Sequence, residues 1–100
     1  MKNFNSKFKI GYIGLGKMGF NMVLRLLEKC WSVAAFDPNE GVRTQAAEAG
    51  AGHTVSLIEL PASLEAPRLI WLMVPHAAVD GVLDGILPHL ASGDTVIYGG

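Results

Sequence analysis

Apolar residues recur along the chain with two spacings, and segments of one spacing alternate with segments of the other. Short apolar runs predict β-strands at 9–13, 32–36, 51–55, 68–74 and 95–98. Between them, apolar residues repeat every three or four positions, which predicts amphipathic helices. The helices are placed at 17–29 and 40–49 and along the apolar positions from Val79 to Leu90. A capping-box pattern, Ser56-Leu57-Ile58-Glu59, predicts a further short helix that ends before Pro67. Strands alternating with helices are typical of a parallel sheet with right-handed crossovers.

Local signals mark the ends of the first two helices. Asn39 is placed to cap the second helix, and Gly50 to end it. Cys30 follows the first helix where a left-handed glycine usually stands, and that conformation would cost a cysteine about 1–2 kcal/mol. The alternative is a reactive or metal-binding thiol, but no histidine or second cysteine lies nearby in the sequence. We therefore interpret Cys30 as a tolerated variant of the helix end. Within the first helix the apolar positions form two rows, Met18-Met22-Leu26 and Gly19-Val23-Leu27.

The first strand runs into a glycine-rich turn, Gly14-Leu15-Gly16-Lys17-Met18-Gly19. Between a strand and a helix, this G-x-G-x-x-G pattern indicates dinucleotide binding. Gly14 permits the tight turn, Gly16 lets the backbone approach a pyrophosphate, and Gly19 lets the helix pack closely on the strand. The phosphate charge would lie on the free N–H groups of the helix N-terminus. On the hexapeptide alone, a glycine-rich turn in an ordinary strand–helix unit is an equal alternative.

A carboxylate stands at the end of the second strand. Asp37 lies 18 residues after Gly19, and the dinucleotide fingerprint places an acid about 20 residues on, where it accepts hydrogen bonds from the adenosine ribose. The alternative is a turn residue before Pro38. A carboxylate here repels a 2′-phosphate, and Pro38 and Asn39, not an arginine, follow it. The pattern therefore favours NAD over NADP.

The remaining polar candidates carry weaker signals. His76 follows the fourth strand at the edge where parallel sheets bind ligands, and it is equally well a cofactor neighbour or a loop histidine. His53 has no second ligand at a useful spacing, so we predict no metal site. Asp80 and Asp84 lie on the polar side of the last helix and are interpreted as solvated aspartates, not an acid–base pair.

Composition sets the class of protein. One hundred residues form at most one domain, and 50% hydrophobic with 17% charged residues is typical of a globular chain. The net charge of −1, with both signs mixed along the chain, predicts no nucleic-acid or membrane partner. A single cysteine and the lack of an apolar leader favour the cytoplasm. We predict a flexible extension at 1–8 and an incomplete NAD-binding domain at 9–100.

Several stretches resemble a known family. The glycine turn through Met22, with Arg25-Leu26-Leu27, resembles the N-terminus of the β-hydroxyacid dehydrogenases. One branch is especially similar: the NAD-preferring bacterial type of 6-phosphogluconate dehydrogenase, decarboxylating. That similarity lies in Pro67–Pro75, Val79-Asp80, Leu87–Leu90 and Ser92–Ile97. The resemblance implies an α/β Rossmann-type doubly wound sheet with strand order 3-2-1-4-5, truncated before a C-terminal helical domain.

The resemblance also implies which residues meet the cofactor. Gly14, Leu15, Gly16, Lys17, Met18 and Gly19 would hold the pyrophosphate, Asp37, Pro38 and Asn39 the ribose, and Val74, Pro75 and His76 would lie beside the cofactor. The lysine and glutamate that transfer protons in the family lie beyond residue 100, so no catalytic residue is assigned. Two positions depart from the family pattern: Cys30 replaces its usual glycine, and Tyr98 its usual aspartate.

The implied reaction is the oxidation of the C3 hydroxyl of 6-phosphogluconate, a sugar-acid phosphate, followed by decarboxylation to ribulose 5-phosphate. The resemblance implies a homodimer for the full-length enzyme, whereas the 100 residues alone would bind a dinucleotide and catalyse nothing. A dehydrogenase of the 3-hydroxyisobutyrate type and a non-catalytic NAD-binding module remain the two alternatives.

Overall fold

The structure is a computed structural model, and the residues it describes are 8–53 and 56–99. The strands are β1 (Ile10–Ile13), β2 (Val33–Phe36), β3 (Gly52–His53), β4 (Leu69–Leu72) and β5 (Thr95–Tyr98). The helices are α1 (Lys17–Glu28), α2 (Glu40–Glu48), α3 (Glu59–Ala62) and α4 (Val79–Ile86), with short 3₁₀ turns at His76–Ala78 and Leu87–His89. Residues 1–7 of the predicted extension and positions 54–55 of the predicted third strand lie outside the described residues.

The five strands form one parallel sheet in the order β3-β2-β1-β4-β5, which confirms the predicted doubly wound arrangement. Central β1 pairs with β2 on one side and β4 on the other, so that Gly11 lies opposite both Ala34 and Ile70. All four residues of β1 are buried, as expected for a strand with a helix layer on each face.

A separate hydrophobic core lies on each face of the sheet. On one face Ile10 and Tyr12 of β1 pack with Val23 of α1, and the Tyr12 ring stacks on Trp71 with the ring centroids 6.3 Å apart. On the other face Ile13 and the buried residues of β4 pack with Leu60 and Ile86. Each fully buried side chain of this size contributes roughly 1.5–3 kcal/mol. No helix of the described residues is long and apolar enough to cross a membrane.

The structure corrects the predicted apolar face of α1. Gly19 and Val23 are its buried residues, whereas Met18 is 67% and Met22 40% exposed. The helix turns the Gly19 row towards the sheet because only a residue without a side chain fits at the point of closest approach. Phe8, which the prediction assigned to the extension, is hydrogen-bonded: its N–H donates to Ser63 at 2.9 Å.

The helices of the second half are shorter than their apolar patterns. The Ser56 hydroxyl accepts a hydrogen bond from the Glu59 N–H at 3.3 Å, as in the predicted capping box, but α3 itself begins at Glu59, so Ser56 is not its N-cap. Helix α4 ends at Ile86 although apolar positions continue to Leu90. Pro88 has no N–H for an α-helical bond, and its ring collides with the preceding turn, so the chain tightens into a 3₁₀ turn.

Helices α1 and α2 end in the same hydrogen-bonding pattern, but only α2 ends in a glycine. After α1 the N–H of Trp31 donates to Leu26 and that of Cys30 to Leu27, each at 3.0 Å. After α2 the same two bonds surround Gly50. This is the Schellman motif, which needs one left-handed residue. Gly50 has φ +117° and Cys30 has φ +67°, so the predicted left-handed cysteine is confirmed.

Replacing Cys30 by glycine should stabilise the fold. Relief of the left-handed strain exceeds the added entropy of glycine in the unfolded chain by about 0.5–1 kcal/mol, which raises Tm by roughly 2–8 °C. Thermal unfolding followed by circular dichroism measures the shift. Gly50→Ala is the comparator and should lower Tm. An unchanged or lower Tm for Cys30→Gly would contradict the strain argument.

At the amino end of the sheet, Asp94 connects β4 to β5. Its carboxylate accepts hydrogen bonds from the N–H of Arg68 at 2.6 Å and of Ala91 at 2.8 Å, and it pairs with the Arg68 guanidinium at 3.0 Å. The Asp94 side chain is only 3% exposed. The backbone N–H groups of Arg68 and Ala91, followed by the Arg68 side chain, hold the pKa of Asp94 below its usual value of 3.8.

Asp94→Asn should lower Tm by several degrees at pH 7. Because the folded pKa is depressed, the stabilisation by Asp94 is complete above the unfolded value near 3.8 and is lost as the pH falls through the folded pKa. Thermal melts from pH 7 to pH 2.5 should therefore show the Tm values of the wild type and of Asp94→Asn converging at acidic pH. Asp84→Asn, on the exposed side of α4, serves as the control and should change Tm little. A difference that stays constant down to the lowest pH would refute the assignment.

Candidate dinucleotide site

A cavity of about 750 Å³ opens at the carboxyl ends of β1, β2 and β4. Its size lies within the roughly 300–1,000 Å³ of small-molecule sites, and its position is where doubly wound sheets bind ligands. The lining residues are Ile13, Gly14, Gly16, Phe36, Asp37, Pro38, Leu57, Met73, Val74, Pro75, Ala78, Gly81 and Val82. Most are apolar, and the Asp37 carboxylate is the only ionisable side chain among them.

The three glycines of the turn have the separate geometries that the sequence predicts. Gly14 has φ +102°, and a Cβ there would collide with the Met73 carbonyl. A Cβ at Gly19 would collide with the Gly14 carbonyl, so α1 can reach the strand only at a glycine. Gly16 is exposed, and a Cβ there would meet nothing within 4 Å. Of these three glycines, only Gly16 therefore has free space beside it for a ligand.

The N-terminus of α1 faces this space. Gly16 is its N-cap, and no side chain caps the helix. The first N–H groups of a helix have no partner within it, and together with the helix dipole they favour an anion. Because Gly16 also lines the cavity, the end of α1 is suited to a phosphate group bound there.

Asp37 joins the glycine turn to the end of β2. One carboxylate oxygen accepts a hydrogen bond from the Leu15 N–H at 2.7 Å, and the other accepts one from the Asn39 N–H at 2.9 Å. Asn39 in turn caps α2, accepting from the Val42 N–H at 3.1 Å, as predicted. The carboxylate is therefore held at the rim of the cavity, where its remaining lone pairs can accept bonds from a ligand hydroxyl.

An arginine that the sequence reasoning overlooked reaches the same turn. The Arg43 guanidinium donates to the carbonyl of Asp37 at 2.7 Å and of Pro38 at 3.3 Å, and it lies 5.5 Å from the centroid of the Phe36 ring. No arginine directly follows Asp37, but Arg43 is in the first turns of α2 and points back to the strand end. The available signal was the cap at Asn39, which fixes where α2 begins.

The far wall of the cavity comes from residues that the sequence reasoning had assigned to the core or left unassigned. Leu57 precedes α3, and Ala78, Gly81 and Val82 belong to α4 and the turn before it. Their apolar spacing predicted helix packing, and nothing local distinguishes a wall residue from a core residue. A Cβ at Gly81 would meet nothing within 4 Å, so this stretch of α4 is open.

Comparison with known proteins identifies the family. The family described as the NAD binding domain of 6-phosphogluconate dehydrogenase matches residues 9–100. The chain belongs to this family. It is therefore an NAD(P)-binding domain of the 6-phosphogluconate dehydrogenase type, as the resemblance predicted.

Individual relatives share the sequence and the fold. The chain is 43% identical over 93 residues to the NAD(+)-dependent, decarboxylating 6-phosphogluconate dehydrogenase of Haloferax volcanii, covering 92% of this chain and 31% of that protein. It is 36% identical over 100 residues to the NADP(+)-dependent enzyme of Bacillus subtilis, covering 95% and 21%. The solved 6-phosphogluconate dehydrogenase of Plasmodium falciparum superposes with a TM-score of 0.78 at 30% identity, covering 92% and 21%. The chain thus spans about a fifth to a third of these relatives.

The family's predicted cofactor residues fall into two groups in this structure. Gly14, Gly16, Asp37, Pro38, Val74 and Pro75 line the cavity. The others do not line it. Leu15 is buried and offers its N–H to Asp37, Gly19 is packed against Gly14, and Asn39 caps α2. Lys17 and Met18 line a separate hollow on α1, and exposed His76 lies with its ring centroid 6.5 Å from that of Tyr98. Contact of any of these residues with a cofactor stays a prediction.

The residues present fit an NAD(P) cofactor on structural grounds. An uncapped helix N-terminus for a pyrophosphate, an oriented carboxylate for a ribose and an apolar wall for a flat ring system open into one cavity. Within the described residues no cluster of three histidine, cysteine or acidic side chains could hold a metal.

Gly16→Ala should separate folding from binding. The backbone of Gly16, at φ −63°, accepts alanine, so Tm should stay the same or rise by a few degrees. The added methyl group occupies the space beside the helix N-terminus, and NAD affinity should fall at least about tenfold, about 1.4 kcal/mol. Titration calorimetry and thermal melts provide the two readouts. Gly19→Ala is the matched control and should lower Tm. If Gly16→Ala bound NAD as tightly as the wild type, NAD would not occupy the space beside the α1 N-terminus.

Proposed function

We propose that this chain holds the cofactor of an NAD-dependent 6-phosphogluconate dehydrogenase. The observation that supports NAD is the fixed carboxylate of Asp37. Leu15 and Asn39 orient both of its oxygens at the cavity rim, where it can accept hydrogen bonds from a ribose diol. A 2′-phosphate at the same position would bring a second negative charge against this carboxylate. Relatives of both specificities match the chain, so the preference rests on Asp37.

The proposed reaction oxidises the C3 hydroxyl of 6-phosphogluconate and releases carbon dioxide. When bound, NAD supplies the hydride acceptor. In this proposal the chain's own residues bind and orient: the α1 N-terminus holds the pyrophosphate, Asp37 holds the ribose, and Val74 and Pro75 border the cofactor. Proton transfer to the substrate belongs to groups outside these 100 residues, so the chain alone would be inactive.

The proposal extends to the setting of the whole enzyme. We expect a cytoplasmic homodimer that acts on a small sugar-acid phosphate, with no nucleic-acid or membrane partner. The single cysteine and the mixed surface charge support this setting.

Cofactor preference tests the proposal directly. Titration calorimetry of the protein with NAD and with NADP should give at least about tenfold tighter binding of NAD, about 1.4 kcal/mol. Asp37→Asn, which keeps the shape but removes the charge, should narrow that ratio because the repulsion of the 2′-phosphate is gone. Equal affinities in the wild type, or tighter NADP binding, would overturn the role of Asp37. Failure to bind either dinucleotide would overturn the site itself.

A further inference from the structure

Arg43 contacts residues of the cavity wall but does not itself line the cavity. Its guanidinium donates to two consecutive backbone carbonyls, those of Asp37 and Pro38, and lies over the Phe36 ring. These three residues all line the cavity, whereas Arg43 does not. The side chain therefore contacts the segment that carries the Asp37 carboxylate, without forming part of the cavity surface.

This contact restricts the turn more than a single hydrogen bond would. One nitrogen, Nη1, donates to both carbonyls, and the planar guanidinium lies over the Phe36 ring, so together these contacts restrict the direction of the two peptide groups. Arg43 is itself anchored, because α2 begins at the Asn39 cap and Arg43 lies within its first turns. The Asp37–Pro38 backbone is thus connected to the body of a helix.

We propose that Arg43 is a positioning residue for cofactor specificity, which acts by orienting the Asp37 carboxylate towards the ribose. The proposal rests on the proposed function, since it concerns the same ribose site. If the Asp37 peptide could rotate, the carboxylate would leave the Leu15 and Asn39 N–H groups and lose its alignment. Arg43 uses its Nη1 group on two carbonyl oxygens and lies outside the cavity lining, so in this proposal it preserves NAD selectivity instead of attracting a 2′-phosphate.

A double-mutant cycle between Arg43 and Asp37 tests this role. Titration calorimetry measures NAD, NADP and AMP binding to the wild type, Arg43→Met, Asp37→Asn and the double variant, with thermal melts alongside. Arg43→Met should weaken the binding of NAD and AMP about tenfold. Asp37→Asn should weaken NAD binding about tenfold in the wild type, but by less than about threefold when Arg43→Met is already present. Arg25→Met is the matched control: that side chain is 74% exposed on α1, and the change should leave affinity unaltered.

Arg43→Lys distinguishes an orienting role of the Arg43 side chain from an effect of its positive charge. It also provides a second test if Arg43→Met does not fold. Lysine keeps the positive charge but lacks the planar group that lies over Phe36, so the orienting role predicts a loss of NAD affinity of about three- to fivefold. The effect of Asp37→Asn on NAD affinity should be reduced in this background too. Full NAD affinity in Arg43→Lys would overturn the proposal. The proposal would also be overturned if the losses of binding free energy from the two substitutions were additive, or if Arg43→Met weakened NADP binding more than NAD binding.

The outcomes separate this inference from the proposed function. A wild-type protein that binds no dinucleotide, or that prefers NADP, contradicts the proposed function. A wild type that prefers NAD while Arg43 and Asp37 act independently contradicts only the role of Arg43. A lower Tm in Arg43→Met with unchanged NAD affinity of the folded protein would show a structural role and would also overturn the inference.

Discussion

The cavity depends on the close approach of three backbone segments around Gly14. The Gly14 N–H donates to Phe36 at 2.9 Å, and the Met73 N–H donates to Ile13 at 2.8 Å, so the ends of β2 and β4 enclose the turn from both sides. No side chain fits at Gly14 or Gly19 under this constraint. As a result α1 starts directly beside the sheet edge, and its N-terminus faces the space that a dinucleotide needs. A bulkier turn would move the helix and its dipole away from that space.

Asp37 adds a second constraint, because it connects the end of β2 to the glycine turn and to α2. Its two carboxylate oxygens hold the glycine turn and the start of α2, while its carbonyl is held by Arg43. The same residue therefore carries the group proposed to recognise the ribose and the contacts that orient that group. Preorganisation of this kind reduces the ordering cost of binding, because the carboxylate need not search for its position when the ligand arrives.

The sequence predicts the parts of the structure that follow from local rules. Apolar spacing located the strands and three of the helices of the described residues, a capping-box pattern located α3, and the glycine pattern indicated a turn whose geometry the structure confirms at Gly14 and Gly19. The left-handed Cys30 followed from its place after α1. By contrast, Arg43, Leu57 and Val82 reach the site through tertiary packing, and no local pattern announces that. The exposed side of α1 was misjudged for the same reason, since methionine is apolar whichever way it points.

Polar groups at the two ends of the parallel strands are used differently, so we expect that binding and stability can be altered separately. At the amino edge, the almost fully buried Asp94 uses its hydrogen bonds on Arg68 and Ala91, and its contacts lie within the fold. At the carboxyl edge, the α1 N-terminus has no side-chain cap, and Asp37 stays partly exposed at the cavity rim. Polar groups left with unused capacity are costly unless water or a ligand meets them. The carboxyl edge of this parallel sheet therefore offers polar groups that a ligand can bond in place of water, and we expect a change at the amino edge to affect folding before it affects the site.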